Sequence, residues 1–205
     1  MTVAGAAIKR GRKFDQVLEG ARTVFMREGF ERASVDDIAR EAGVSKATLY
    51  SYFPDKRLLF LEVSKIECNR QADEALEVID MTAPPEVVLR EAALRIVRFF
   101  MSDFGMQVFR IAVSESDRFP DLGRRFYESG PALVRERLRA YMADACARGE
   151  LRIDDLALAA EQFAELCKAH LFTRRAFGVA TDVSEGEIAR VVDGAVATFL
   201  ARYRG

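Results

Sequence analysis

An ammonium (Lys46), two aliphatic hydroxyls (Thr48, Ser51) and two phenols (Tyr50, Tyr52) fall within seven residues. Wound as a helix, this stretch turns Leu49 and Phe53 to one side and leaves the polar and aromatic groups for the other. A cation near such a face displaces counterions from phosphates. Hydroxyls donate to phosphates and base edges, and tyrosine rings suit thymine methyl groups. The competing reading is that the tyrosines only cover the surface. No covalent chemistry is legible: G-x-S-x-G, H-E-x-x-H and Walker patterns are absent. With one histidine, His170, a catalytic triad would depend on that residue alone. A lone His on an apolar helix is usually a core or interface residue. No catalytic residue, metal or cofactor is expected.

Two short helices must position this group. Ser34 and Ser45 stand where N-caps would, and Asp37 follows Ser34 at capping-box spacing. The helix from Ser34 presents Val35, Ile38, Ala39 and Ala42 inward, and Gly43 ends it. The helix from Ser45 runs to about Tyr52. Ahead of them Phe14, Val17, Leu18, Ala21, Val24 and Phe25 mark a helix that Gly29 stops. Two short helices about a tight glycine turn make a helix-turn-helix, locked by Ile38, Ala39, Val44, Leu49 and Phe53.

The rest of the chain is helical by period. Pro54 and Asp55 punctuate it before a long helix over 55–79, and Pro84–Pro85 breaks it. Further helices are predicted over 85–103, 106–116, 121–148, 155–177 and 185–203. Gly105 is expected to separate the first two, Gly130–Pro131 to kink the third, and Ser184 with Glu187 to cap the last. No run alternates long enough to make a strand. The fold class is all-α, with an N-terminal three-helix domain over 1–54 and a helical domain over 55–205.

Residues 1–70 carry 13 Lys+Arg against 10 Asp+Glu, and the remainder 18 against 22. A mildly basic head on an acidic body suits an anionic partner at the N-terminal end. Lys9-Arg10-Gly11-Arg12-Lys13 reads equally as a DNA-reaching arm or a solvated tail. Cys68, Cys146 and Cys167 are odd in number and widely spaced, which argues against a disulfide framework or a zinc site. With no apolar run of about 18 residues and no signal-peptide pattern, a cytoplasmic location without membrane association is expected.

From Ala21 to Phe60 the residues resemble the DNA-binding domain of the TetR family. The resemblance rests on Phe25, Gly29-Phe30, Ser34-Val35, Ile38-Ala39, Ala42-Gly43-Val44-Ser45, Thr48-Leu49-Tyr50, Tyr52-Phe53, Lys56 and Leu59-Phe60. FPDLGRRFYESGP, residues 119–131, resembles the AefR-like C-terminal subtype. The resemblance implies a homodimeric repressor, released by a small-molecule effector from a palindromic double-stranded operator. It places Ser34, Lys46, Thr48, Tyr50, Tyr52 and Lys56 at positions that commonly touch DNA.

The C-terminal body holds Phe99, Phe100, Phe104, Phe109, Phe126, Tyr127, Met142 and Phe172, which are read as lining a pocket for an apolar or aromatic effector, with Arg110 as a polar anchor. Plain core is the alternative. The last two predicted helices carry apolar stripes that include Phe163, Cys167, Val192, Ala195 and Phe199. These are read as a four-helix dimer interface, the alternative being packing inside one subunit. The reading from another class is a helical small-molecule-binding protein or enzyme in which 33–57 is only a structural helical pair.

Overall fold

The computed structural model describes residues 11–179 and 182–205, and within them every side chain except those of 71–78 and 121–122. Lys9 and Arg10 of the basic arm therefore lie outside the described residues. Those described form eleven helices: α1 (Arg12–Arg32), α2 (Val35–Glu41), α3 (Lys46–Tyr52), α4 (Lys56–Val78), α5 (Pro85–Met101), α6 (Asp103–Ser116), α7 (Pro120–Ser129), α8 (Pro131–Ala147), α9 (Leu156–Leu166), α10 (Leu171–Ala176) and α11 (Glu185–Tyr203). An isolated antiparallel bridge between Leu151 and Arg204 is the extended pairing among them.

Helix ends follow local chemistry. Ser34, Ser45, Ser102, Asp155 and Ser184 each accept a bond from a backbone N–H of the first turn. At Ser184 the capping box with Glu187 is complete. Gly29, at φ 75 and ψ 170, interrupts α1 in a conformation that only glycine adopts readily.

Three predicted boundaries are corrected. Gly105 does not separate α5 from α6. Ser102 ends one helix and caps the next, and Gly105 lies buried in the first turn of α6. It is glycine because a Cβ there would meet the Phe99 carbonyl oxygen at 1.9 Å. Gly130–Pro131 breaks 121–148 into α7 and α8 instead of kinking one helix. The helix expected over 155–177 is likewise two, α9 and α10. Between them His170 takes φ 66 and ψ −43, with Leu171 N donating to Ala169 O at 2.7 Å. That is a γ-turn, a conformation costly for a non-glycine residue.

The chain divides into two compact units, the first ending at Glu67 and the second beginning at Cys68. The boundary falls inside α4, not at 54/55. The reason is that Leu59, Phe60, Leu61 and Val63 are buried and Phe60 packs edge-on against Phe25, with ring centroids 5.0 Å apart. The core of the second unit joins Val88, Leu89, Ala93 and Val97 of α5 to Leu138, Tyr141 and Met142 of α8, Phe163 of α9 and the inner face of α11.

Candidate nucleic-acid interface

The first unit is built to hold α3 still. Val17, Ala21, Val24 and Phe25 of α1 are buried with Ile38 and Ala39 of α2, Leu49 of α3 and Phe53. Val44 is only half-buried, so four of the five expected locking residues lie fully inside. Phe14 stacks on Phe53 at 5.4 Å and meets Tyr52 edge-on at 5.6 Å. Rings so arranged contribute about 0.5–1.5 kcal/mol each beyond area burial. The Ser45 hydroxyl accepts from Thr48 N at 3.1 Å, fixing the first turn of α3.

The six expected contact residues divide by what already holds them. Tyr50 is 48% exposed on the outer face. Lys46 is also exposed, and its ammonium pairs with Asp36 of α2. Thr48 is half-buried, and its hydroxyl lies 2.9 Å from that of Ser45, inside the cap. Tyr52 is half-buried with its ring against Phe14. Ser34 is the N-cap of α2, accepting from Asp37 N at 3.0 Å, and its hydroxyl also donates to the Asp37 carboxylate. That bond is the main reason the Asp37 carboxyl titrates below its ordinary 3.8.

Lys56 is committed elsewhere. Its ammonium donates to Phe30 O at 2.9 Å and Ala33 O at 3.0 Å, and stands 4.4 Å from the Phe30 ring centroid. It ties the start of α4 to the corner between α1 and α2. The outer face of α3 is therefore centred on Lys46 and Tyr50, with Ser51 beside them. Arg12 and Lys13 add exposed cations at the start of α1. Asp36 was not legible as part of this face, because its nearness to Lys46 exists only once the turn at Gly43 has closed.

In the second unit the expected pocket set separates. Phe99, Phe100, Phe104, Phe109 and Phe172 pack ring against ring, with centroids 5.0 Å apart for Phe100–Phe172 and Phe109–Phe172. At that separation the two rings of each pair are in direct contact. Met142 belongs to the core, while Tyr127 is exposed under the Arg135 guanidinium. Phe126 is half-buried on α7. Arg110, the expected anchor, donates to the carbonyls of Arg175 and Ala176 at 3.2 and 2.9 Å, holding the end of α10. An open cleft of about 460 Å³ lies instead between the end of α5 and the start of α11, edged by Arg98, Asp103 and Glu185. His170 is exposed, with Nε2 3.0 Å from Arg174 Nη1. No cluster of metal-binding side chains occurs among the described residues.

The residues read as a dimer interface lie in the core cluster of the single chain. Phe163, Cys167, Val192, Ala195 and Phe199 are all buried within one chain. The stripe on α11 is wide because α11 packs on both α5 and α9 of its own subunit. Burial pushes the Cys167 thiol up to about 12, so it is an inert packing group.

Comparison with known proteins agrees with this geometry. Residues 17–63 match bacterial regulatory proteins of the tetR family, and residues 87–205 match the AefR-like transcriptional repressor C-terminal domain. The chain is 25% identical over 184 residues to the HTH-type transcriptional repressor AcnR of Corynebacterium glutamicum, covering 88% of this chain and 90% of that protein. The solved structure of the flavonoid-responsive regulator FrrA is 34% identical, with a TM-score of 0.67 over 95% of this chain and 98% of that one. A chain from Mesorhizobium loti MAFF303099, provisionally assigned as a TetR-family transcriptional regulator, is 27% identical. Its TM-score is 0.79, over 95% of this chain and 98% of that one.

Proposed function

The chain belongs to the TetR family of transcriptional regulators, and from that premise we propose that it is a homodimeric repressor which an apolar or aromatic small molecule releases from a pseudo-palindromic operator. The observation that carries the reading is α3 itself. Its inner side is anchored by Leu49, its first turn is capped by Ser45, and its outer side offers Lys46 and Tyr50. A helix so held lies in the major groove with its side chains at base edges and phosphates.

A dimer would place two copies of α3 about 34–36 Å apart, one helical turn of DNA. The faces left for a second copy are the outer sides of α9 and α11. They carry exposed Leu158 and Gln162 on α9, and Gly194, Ala197, Thr198 and Ala201 on α11. Small residues there permit close helix approach, and an obligate interface would bury on the order of 2,000 Å² or more. Such a protein works on chromosomal DNA in the cytoplasm. No helix among the described residues is long and apolar enough to cross a membrane.

The effector reading draws support from the aromatic cluster around Phe172 and from the likeness to a flavonoid-responsive regulator. Admitting a planar ring would require the Phe100, Phe109 and Phe172 contacts to open. A ligand drives that change only by binding the open arrangement more tightly. The change would reach the reader through α4, which contributes residues to both units. The test is selection of genomic fragments by the purified protein, followed by operator affinity across flavonoids, simple phenols and acyl compounds. The reading expects a palindromic consensus and release by members of the aromatic set. Fragments without a consensus would overturn the operator reading, and indifference to every compound would overturn the effector reading.

A further inference from the structure

We infer that Asp36 sets the protein's discrimination between its operator and DNA of arbitrary sequence, by holding Lys46 until α3 is fully docked. The inference rests on α3 being the DNA-reading helix.

Lys46 is the first residue of α3, and Asp36 lies in the first turn of α2. The turn at Gly43 brings them together, and the Lys46 ammonium pairs with Asp36 Oδ1. Both side chains stay open to solvent, 57% and 56% exposed. A pair so exposed adds little to the stability of the fold. Its consequence therefore lies in binding. The neighbouring carboxylate is differently employed: Asp37 accepts from Ser34 and pairs with Arg40 at 3.0 Å.

Lys46 is the cation that α3 offers to a phosphate, and Asp36 competes for it. On arbitrary DNA, binding consists almost wholly of phosphate neutralisation. A loosely seated protein gains little by exchanging a fixed carboxylate for a distant phosphate, so Lys46 stays with Asp36. On the operator, base contacts from Tyr50 seat α3 deep in the groove and bring a phosphate within reach of Lys46. The exchange then takes place. Asp36 thus subtracts one phosphate contact from the arbitrary complex and none from the specific one. A carboxylate beside the phosphate path also repels every backbone equally, so its removal raises both affinities somewhat.

The test compares Asp36→Asn, Asp36→Glu, Lys46→Gln and the double variant Asp36→Asn/Lys46→Gln in the full-length protein. Each is titrated with a random-sequence duplex and with a genomic duplex selected by the wild type, across a salt series. Asp36→Asn should raise random-duplex affinity about tenfold per reading head at low salt and steepen its salt slope by about 0.9 per reading head. Its operator slope should stay unchanged and its affinity rise less. Asp36→Glu should restore wild-type behaviour, and in the Lys46→Gln background the Asn substitution should no longer alter the slope. A helix-stabilising role alone would move the melting temperature and not the slope. An unchanged random-duplex slope in a folded Asp36→Asn variant overturns the inference while leaving the DNA-reading role of α3 intact. An operator affinity indifferent to Lys46→Gln overturns the assignment of Lys46 as a contact, and the inference with it.

Discussion

Gly20 of α1 lies so close to Ala42 at the end of α2 that a Cβ on Gly20 would stand 2.6 Å from the Ala42 nitrogen. The contact sets how near the first helix comes to the turn that aims α3. Gly20→Ala must force backbone apart, which outweighs the gain in helix propensity and should cost about 1–3 kcal/mol. Gly43 differs: it has open space but φ 63, so Gly43→Ala meets only the left-handed penalty, about 1–2 kcal/mol. Thermal melts should show both variants weakened. Operator affinity of the folded fraction should fall further for Gly20→Ala, which alone displaces a helix.

Lys56 and Lys46 should separate cleanly. Lys56→Met removes two charge-assisted bonds to the Phe30 and Ala33 carbonyls and should lower stability by about 1–3 kcal/mol. The salt slope of DNA binding should be unchanged. Lys46→Gln should leave the melting temperature nearly alone and reduce the operator slope by about 0.9 per reading head. Denaturant melts and salt titrations on both variants check the assignment. A slope that falls for Lys56→Met would return that residue to the contact surface.

Acid should loosen the starts of α2 and α11. The Asp37 carboxyl is held below 3.8, chiefly by the Ser34 hydroxyl, and that of Glu187 below 4.5, by the Ser184 backbone N–H and then its hydroxyl. A carboxyl depressed in the folded state stabilises above its ordinary value, and that stabilisation is lost as pH falls through the folded value. The loss therefore begins near pH 4 and deepens below it. Ser34→Ala and Ser184→Ala should be less stable than wild type near neutrality, with the gap narrowing by about pH 3. Melts across that range measure it, and a gap independent of pH would contradict the assignment.

Core and interface should part in the last helix. Phe199 meets Phe163 edge-on at 5.2 Å and lies tilted against Tyr203 at 4.8 Å, inside one chain. Phe199→Ala should cost about 3–5 kcal/mol, as a buried aromatic does. Ala197→Glu, on the outer face of α11, should keep the helical signal and yield the mass of a single chain by light scattering. A dimeric Ala197→Glu variant would place the interface elsewhere.

What the sequence made legible was local. Ser34, Ser45 and Ser184 declared three helix starts, because a cap and the N–H it satisfies lie within three residues. Gly43 declared its turn for the same reason. The break at His170 was hidden, since nothing in local propensity marks a histidine for φ 66. Gly105 was visible as a glycine, yet its cause is the Phe99 carbonyl across the helix corner. The stripe through Phe163, Val192 and Phe199 showed that a face is buried but not against what. Periodicity records burial, and only the packing of α11 on α5 and α9 tells which chain supplies the cover. Lys56 likewise read as a free cation because the carbonyls it serves lie 23 and 26 residues away.

The proposed role of α3 is to read DNA through Lys46 and Tyr50. Its most direct test is the affinity of Lys46→Ala/Tyr50→Ala for a duplex that the wild type selects from genomic DNA, with the fold checked by its melting transition. At about 1–3 kcal/mol per lost contact, the double variant should bind about 2–6 kcal/mol more weakly per reading head. A folded variant that holds the duplex as tightly as the wild type would show that another surface does the reading.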